Sequence, residues 1–502
     1  MHLVIAFCAA VREGSRPMVA STLERTVGID AVGVHVPRLY LDLRDEWARV
    51  RAPELGEPSV EHLVGKVTKG VGVTEMAVPD AHEDSATLAA MAAVKAIAHG
   101  GIDPREIGTI AIGTETTVDQ SKSIAAYVLG MIEQHFGVEL RRVGAPQFQF
   151  ACIGATYALE SVVNAFRAGE ATKRYALVIA TDVSKYPLRS AGEYTQGAGA
   201  VAMVVSEEPR LLALDPRVAG TITRDERDFF RPNGLSTAVV DGKYSIDVYL
   251  GAMAEATEMY LERARRELRR PAARIDELAE HLLFHVPFPR MSEYAALRVL
   301  GDAWRAGPSL RPALEAAAPL LFDARATTDA AVRKDAEKQL ARSELFRACF
   351  ARRIEPSLAL SRRIGNIYSG SMYLALASLL ETAPSRAALA GTRAAFFSYG
   401  SGASARVFSG VFVDPERAYV PHVLDVLGTD ERAGHRVALD VATYERLHAG
   451  PEHAEPASLA QPAPSVIPPR GEFALTRVGT DSGPHRTDLG YRYYAWVQSE
   501  AR

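Results

Sequence analysis

The sequence predicts an α/β fold made from two copies of one α/β unit, and three observations carry that expectation. From Val27 onward, β-branched runs alternate with alanine-rich amphipathic stretches, the pattern of strands covered by helices on both faces. Thr195-Gln-Gly-Ala-Gly-Ala-Val-Ala-Met-Val-Val-Ser206 echoes Ser398-Tyr-Gly-Ser-Gly-Ala-Ser-Ala-Arg-Val-Phe-Ser409, each placing a Gly-x-Gly-Ala turn before an apolar strand. Upstream of these turns, Cys152-Ile-Gly-Ala-Thr-Tyr and Asn366-Ile-Tyr-Ser-Gly-Ser-Met-Tyr each lead into a helix. Two landmarks in one order point to duplication.

The elements follow in order. Gly28 to Val36 reads as a strand stopped by Pro37, and Ala86 to Ala98 as a helix ended by Gly100 and Gly101. Thr109 to Gly113 is a short buried strand, Ser123 to Phe136 a helix, and Phe148 to Ala151 an extended segment that runs straight into Cys152. Ala158, Leu159, Val162, Val163, Ala165 and Phe166 give Tyr157 to Ala168 the spacing of an amphipathic helix, with Gly169 as its cap. Tyr175 to Thr181 is a buried strand. This alternation implies a largely parallel sheet. Ala303 to Arg353, rich in Ala and Arg, reads as a helical insertion outside the core. Glu452 to Pro469 reads as a loop, and Gly471 to Val478 and Tyr491 to Val497 as closing strands. The expected units are an arm (1–26), a first half (27–210), a second half (211–435, insertion about 303–353) and an extension completing the second half (436–502).

At 502 residues, 48% apolar and 24% charged, the chain can bury a large core. A net charge of −4 argues against nucleic acid as a partner. Cys8, Cys152 and Cys349 are too few for a disulfide framework and lack zinc spacing, which suits a reducing, cytoplasmic setting. Leu3 to Ala10 is too short to span a bilayer and has no basic residue before it, so Met18 is the expected start and no membrane association is expected.

Cys152 stands where an extended segment meets a helix, and there the helix dipole favours thiolate; the same position equally suits a small buried hydrophobe. Glu115, in Gly113-Thr-Glu-Thr, ends a buried strand with no evident ion partner. It reads as a general base with raised pKa or as a strand-end glutamate facing water. His285 precedes Pro287 and Pro289, which hold its loop rigid for a hydrogen-bond donor or base. His281 lies on the same strand face but too far off for shared ligation, so no metal is expected. Asn366 and Ser401 near Gly-rich turns suit a thioester carbonyl, or simply turn chemistry.

Together the motifs resemble the hydroxymethylglutaryl-CoA synthase family. The matching blocks include Gly113-Thr-Glu-Thr-Thr-Val-Asp-Gln-Ser-Lys-Ser123, Ala151-Cys152, Ala180-Thr-Asp-Val-Ser-Lys-Tyr186 and Glu193-Tyr-Thr-Gln-Gly-Ala-Gly-Ala200. Asp228-Phe-Phe-Arg-Pro232, Val240-Asp-Gly-Lys243, Phe284-His-Val-Pro, Gly365-Asn-Ile-Tyr368 and Ser398-Tyr-Gly-Ser-Gly402 follow, collinear from Val27 to Val411. The resemblance implies a thiolase-like, duplicated αβαβα layered fold and a homodimer. It implies that Cys152 is acetylated by acetyl-CoA, that Glu115 is the general acid/base, and that His285 holds the ketone of acetoacetyl-CoA. Asn366, Ser401, Tyr368 and Gly400 would contact substrate, Asp182, Tyr186 and Phe229 would shape the acyl pocket, and Arg290 would meet a CoA phosphate. The CoA thioesters are substrates, and no cofactor is implied; the pathway implied is mevalonate and isoprenoid precursor synthesis.

Two positions depart from the family pattern. Ile153 stands where a tyrosine is usual, and Arg290 replaces a lysine, keeping the charge but not the ammonium geometry. The competing readings are a relative that acts on a β-ketone carried by an acyl carrier protein in polyketide β-branching, a ketoacyl synthase or thiolase relative, and an inactive thiolase-fold scaffold. No His-Asn or second-cysteine arrangement favours the ketoacyl synthase or thiolase reading. Retention of Cys152, Glu115 and His285 together argues against the scaffold.

Overall fold

Nine strands form the central sheet of the computed structural model, which describes residues 25–269, 274–307, 310–419, 422–428, 434–449, 464–480 and 488–499. They are β1 (Val27–His35), β2 (Ile107–Gly113), β3 (Gln147–Phe148), β4 (Tyr175–Val183), β5 (Ala198–Glu207), β6 (Leu212–Thr223), β7 (His281–Phe284), β8 (Arg393–Gly400) and β9 (Ser404–Phe412). Six helices pack on them: α1 (Ser85–Gly100), α2 (Ile124–Phe136), α3 (Gly154–Ala168), α4 (Gly242–Glu267), α5 (Pro289–Ala306) and α6 (Ser371–Thr382).

The strand order, β7-β8-β9-β6-β1-β5-β4-β2-β3, reads as two mirrored sets meeting at β6 and β1. That seam is narrow, with only Gly28↔Ala213 and Ile29↔Leu212 in register. The two sets are therefore two sheets joined at one edge, and side-chain alternation shows what separates them. On β4, Ala176, Val178 and Ala180 face a middle core; so do Val201, Met203 and Val205 of β5, and Ala394 and Phe396 of β8. That core is filled by α3 and α6, through residues such as Leu159, Val163, Met372 and Leu376. The alternate residues Leu177, Ile179 and Val204 face α1 and α2, while Leu282, Phe284, Ala395 and Phe397 face α4 and α5. The period of two along each strand sorts the apolar residues into the layers αβαβα.

The expected duplication is present, but its register differs from the sequence echo. Residue 151, just before Cys152, has φ +39°, and Tyr368 has φ +43°. Each lies three residues before a helix, α3 or α6, so Ser369 rather than Asn366 is the counterpart of Cys152. Likewise Ala198 opens β5 and Ser404 opens β9, so Ser404 rather than Ser401 matches Ala198. Both landmarks move by three residues, because Gly and Ser recur closely enough in these turns to align at several registers.

The expectation of a largely parallel sheet is also corrected. Only β2/β3, β2/β4 and β7/β8 run parallel; β1/β5, β1/β6, β4/β5, β8/β9 and β9/β6 are antiparallel. In both halves the last strands are joined by turns or loops with no crossover helix, and direct connections bring the chain back antiparallel.

The C-terminal extension packs on the first half instead of completing the second. Glu472–Val478 and Arg492–Val497 pair with each other, and Phe473 and Trp496 lie against His135 of α2. Val437–Ala438 pairs with Leu39–Asp42 of the first half. Glu472 is fixed by Arg38 at 2.6 Å and faces His82 at 3.6 Å. His35 and Glu83 lie in the same buried group as Glu472, and Lys95 reaches His35 at 3.0 Å. Residues 303–307 and 310–353 are largely helical, and the expectation that they stay outside the core is corrected: Leu314, Leu340 and Phe346 join the outer core of the second half. Residues 1–24 and 450–463 lie outside the described set, and with them the arm, Met18 and most of the expected loop; 464–469 are irregular. Among the described residues no helix is long and apolar enough to cross a membrane.

The middle layer supplies a stability test. Phe396 is fully buried and stacks on Phe408 with centroids 4.9 Å apart. Phe396→Ala is expected to cost about 3–5 kcal/mol, seen as a lower urea midpoint with an unchanged denaturant slope.

Candidate active site

The ends of β2 and β8 converge on the start of α3. A Cβ on Gly113 would lie 2.1 Å from the Ala155 amide nitrogen, and one on Gly400 would lie 2.8 Å from that of Ile153. Only hydrogen at both positions lets strand ends from the two halves grip the backbone that follows Cys152. Gly400 thus acts by close packing. Ile153 is fully buried and its Cγ2 presses on Gly400.

This grip brings Cys152 to Glu115. The half-buried thiol donates to Glu115 Oε1 at 3.0 Å. Burial, reinforced by the nearby Asp182 charge, raises the Glu115 pKa to about 7. The Cys152 thiol is pushed well above its ordinary value, first by burial and then by the Glu115 carboxylate it faces. The expected helix-start thiolate is therefore overruled. Ile153 caps α3 and Cys152 stands outside it, so desolvation and an adjacent anion outweigh a dipole worth about 0.3–1 kcal/mol. In its resting state the site holds a thiol beside a proton acceptor.

Asp182 holds that acceptor in place. Its Oδ1 accepts from Thr114 Oγ1 (2.9 Å), the Glu115 amide (2.9 Å), and the Thr116 amide and hydroxyl (3.1 and 2.7 Å). Its Oδ2 accepts from the Ser369 amide at 3.0 Å and from the Ser369 hydroxyl. With both oxygens occupied and no exposure, Asp182 positions Glu115 and Ser369, where an acyl-pocket wall was expected.

Tyr186 and Phe229 come together with Tyr368. Their rings meet edge to face with centroids 6.0–6.4 Å apart and form one apolar cluster against Cys152. His285 follows β7 and is 3% exposed. Burial alone depresses its pKa to about 3, so the ring is neutral. Ser371 Oγ accepts from the Val286 amide at 3.1 Å and lies 2.7 Å from His285 Nδ1. Ser371 thus engages the ring at Nδ1. His281 instead meets Thr392 at 3.2 Å.

Asn366 is buried, with Oδ1 accepting from the Tyr368 amide at 2.8 Å and its own amide donating to Thr195 O at 3.0 Å. Ser401 lies half-buried in the turn between β8 and β9. That turn hangs on Asp228, which accepts from Tyr399 Oη (2.9 Å) and the Gly402 amide (2.8 Å). Arg290 sits apart, at the start of α5, paired with Glu293 and donating to Lys69 O at 2.6 Å. Sequence reasoning missed Asp228, Arg231 and Ser371, although the first two share a quoted block with Phe229. A cavity of about 680 Å³ opens elsewhere, between α3 and β6, lined by Leu159, Asp215 and Arg406 among others; none of the candidate residues lines it.

A half-buried thiol on a proton acceptor, a neutral imidazole and an aromatic pocket suit acyl transfer followed by carbon–carbon bond formation. The family profile described as hydroxymethylglutaryl-coenzyme A synthase N terminal matches residues 24–209, and its C-terminal partner matches 212–447. The chain belongs to the hydroxymethylglutaryl-CoA synthase family. The family's enzyme from Haloferax volcanii is 33% identical over 90% of this chain and 97% of its own length. That from Enterococcus faecalis is 32% identical over 84% and 92%. The solved structure of MvaS in complex with 3-hydroxy-3-methylglutaryl coenzyme A matches with a TM-score of 0.76 at 34% identity, over 95% of this chain and all of that one. The fold is thus the thiolase-like fold of the family. The curacin-pathway HMG synthase, at 22% identity and a TM-score of 0.68, shares that fold.

Glu115→Gln removes the anion facing the thiol. The pH midpoint for Cys152 alkylation by iodoacetamide, followed by intact mass, is expected to fall by about 1–3 units. An unchanged midpoint would refute the coupling.

Proposed function

We propose that the chain condenses acetyl-CoA with acetoacetyl-CoA and water to give 3-hydroxy-3-methylglutaryl-CoA and CoA, through an acetyl thioester on Cys152. The 3.0 Å contact between the Cys152 thiol and Glu115 is the observation that carries this reading, and family membership supports it. In the first step the thiol proton passes to Glu115 while sulfur attacks the acetyl carbonyl, and CoA leaves as the thiol after taking up a proton. Glu115, ionised again, then removes a proton from the acetyl methyl, which its thioester makes acidic. The resulting carbon nucleophile attacks the β-ketone of acetoacetyl-CoA.

His285 serves as a neutral donor in this scheme. With Nδ1 engaged by Ser371, Nε2–H faces the ketone and stabilises the alkoxide as it forms. The methyl proton held on Glu115 can return to that alkoxide. Water then cleaves the Cys152 thioester, releasing the free carboxylate and restoring the thiol. Tyr186, Phe229 and Tyr368 keep bulk water from the carbanion. Isoprenoid precursor synthesis is the proposed setting. A homodimer formed across the outer edge of β3, the strand that leads to Cys152, and a cytoplasmic location complete the proposal.

Mass spectrometry after incubation with labelled acetyl-CoA tests the scheme. Acetyl is expected on the Cys152 peptide and hydroxymethylglutaryl-CoA after acetoacetyl-CoA is added. No acetylation would end the reading, and turnover only with an acetoacetyl carrier protein would replace it with the β-branching alternative. Glu115→Ala is expected to keep acetylation, because loss of the anion eases thiol ionisation as the base is lost, while condensation falls by about 10²–10⁴.

The pH profile follows from the same groups. Glu115 must be ionised to take the methyl proton, so condensation is expected to decline on the acid side of about pH 7. His285, already neutral well below that pH, adds no limb there. A profile flat through pH 7 in stopped-time assays would contradict the assignment.

A further inference from the structure

Arg231 lay outside the expected machinery, yet it touches the general base directly. Its Nη2 donates to the main-chain carbonyl of Glu115 and lies 3.8 Å from Glu115 Oε2, with the arginine side chain 12% exposed. The other carboxylate oxygen, Oε1, accepts the Cys152 thiol. Glu115 is thus held between a fixed cation and the nucleophile's proton.

The segment carrying Arg231 is itself anchored. Asp228, three residues earlier, is fully buried and bound to Tyr399 and Gly402, and the Phe229 ring packs on Tyr368. Among the described residues Nη1 of Arg231 is buried without a hydrogen-bond partner. A guanidinium used only as a structural brace would have its donors satisfied, because an unpaired buried donor costs about 1–3 kcal/mol. The open arm belongs to a guanidinium whose other arm already faces the Glu115 carboxylate.

Charge balance says what the cation does. Asp182, Glu115 and a Cys152 thiolate would put three anions in one desolvated space. Burial and the Asp182 charge favour the protonated forms of Glu115 and Cys152, and Arg231 opposes that at both groups. We propose that Arg231 is a positioning residue for Glu115, fixing its main chain and supplying the positive charge that lets the Glu115–Cys152 pair give up its proton. This rests on the proposed role of Glu115, but its test does not need the substrates.

The test compares Arg231→Gln and Arg231→Lys in the full chain. In Arg231→Gln the iodoacetamide midpoint of Cys152 is expected to rise by about one pH unit or more, opposite in sign to Glu115→Gln, and the acid limb of condensation rises with it. Arg231→Lys keeps the charge and is expected to hold the midpoint near that of the parent. An unmoved midpoint in folded Arg231→Gln, checked by circular dichroism, overturns the proposal. If Arg231→Gln does not fold, Arg231→Lys decides: a midpoint raised by a full unit despite the retained charge overturns it, and a retained midpoint upholds it. Failure of condensation in the parent chain would count against the proposed reaction, while the alkylation arm would still judge Arg231.

Discussion

A carboxylate buried to zero exposure, Asp182, governs how the site is assembled. It accepts from the chain just past β2, which carries Glu115, and from Ser369 at the approach to α6. Burying an anion this deeply is costly unless every lone pair is used. Here amide and hydroxyl donors supply that satisfaction. The donors belong to two halves of the molecule, so Asp182 stays satisfied only if both halves are docked. Correct docking and a correctly placed Glu115 are therefore one condition.

Burial then sets the charge states of the reacting groups. Removal from water disfavours whichever form is charged, so it lifts Glu115 to about 7 and drops His285 to about 3. One environment thus gives a carboxylate close to its exchange point and an imidazole that cannot become a cation. A neutral imidazole donates one hydrogen bond without holding a proton that the carboxylate should take. In the proposed scheme the division of labour between acid/base and oxyanion donor comes from desolvation, with Ser371 engaging the ring at Nδ1.

The sequence made some of this legible and hid the rest for physical reasons. Cys152 and Glu115 stood out through residue type and local context, a helix start and a strand end, yet that context equally allowed a buried hydrophobe and a solvent-facing glutamate; Tyr186, Phe229 and Tyr368 came from the family resemblance alone. Asp182 was picked out for the wrong duty, since its duty depends on which donors the fold brings to it across 187 positions of chain. The Cys152 charge state was misread because helix position is local, whereas the desolvation and the Glu115 charge that override it come from elsewhere. Strand direction was misjudged because strand–helix alternation hides the direct antiparallel returns at β4–β5 and β8–β9. Arg231 drew no reading of its own within its motif block; only its approach to Glu115 across 116 positions sets it apart.

The duplication bears on why, in the proposed mechanism, only one copy carries the nucleophile. Gly113 pairs with Ala180 and Phe284 with Phe397, which makes Asp182 and Tyr399 equivalent positions, as are Cys152 and Ser369. In the first half the residue before the helix is a thiol free to react. In the second half its counterpart, Ser369, lies between Asp182 Oδ2 and Gly113 O, the latter at 2.9 Å. A second free nucleophile there would leave Asp182 short of donors and loosen Glu115. The positive-φ turn that exposes a reactive atom in one half is used in the other to clamp it. The asymmetry that the proposed mechanism needs from a symmetric scaffold thus follows from the need to satisfy one buried anion.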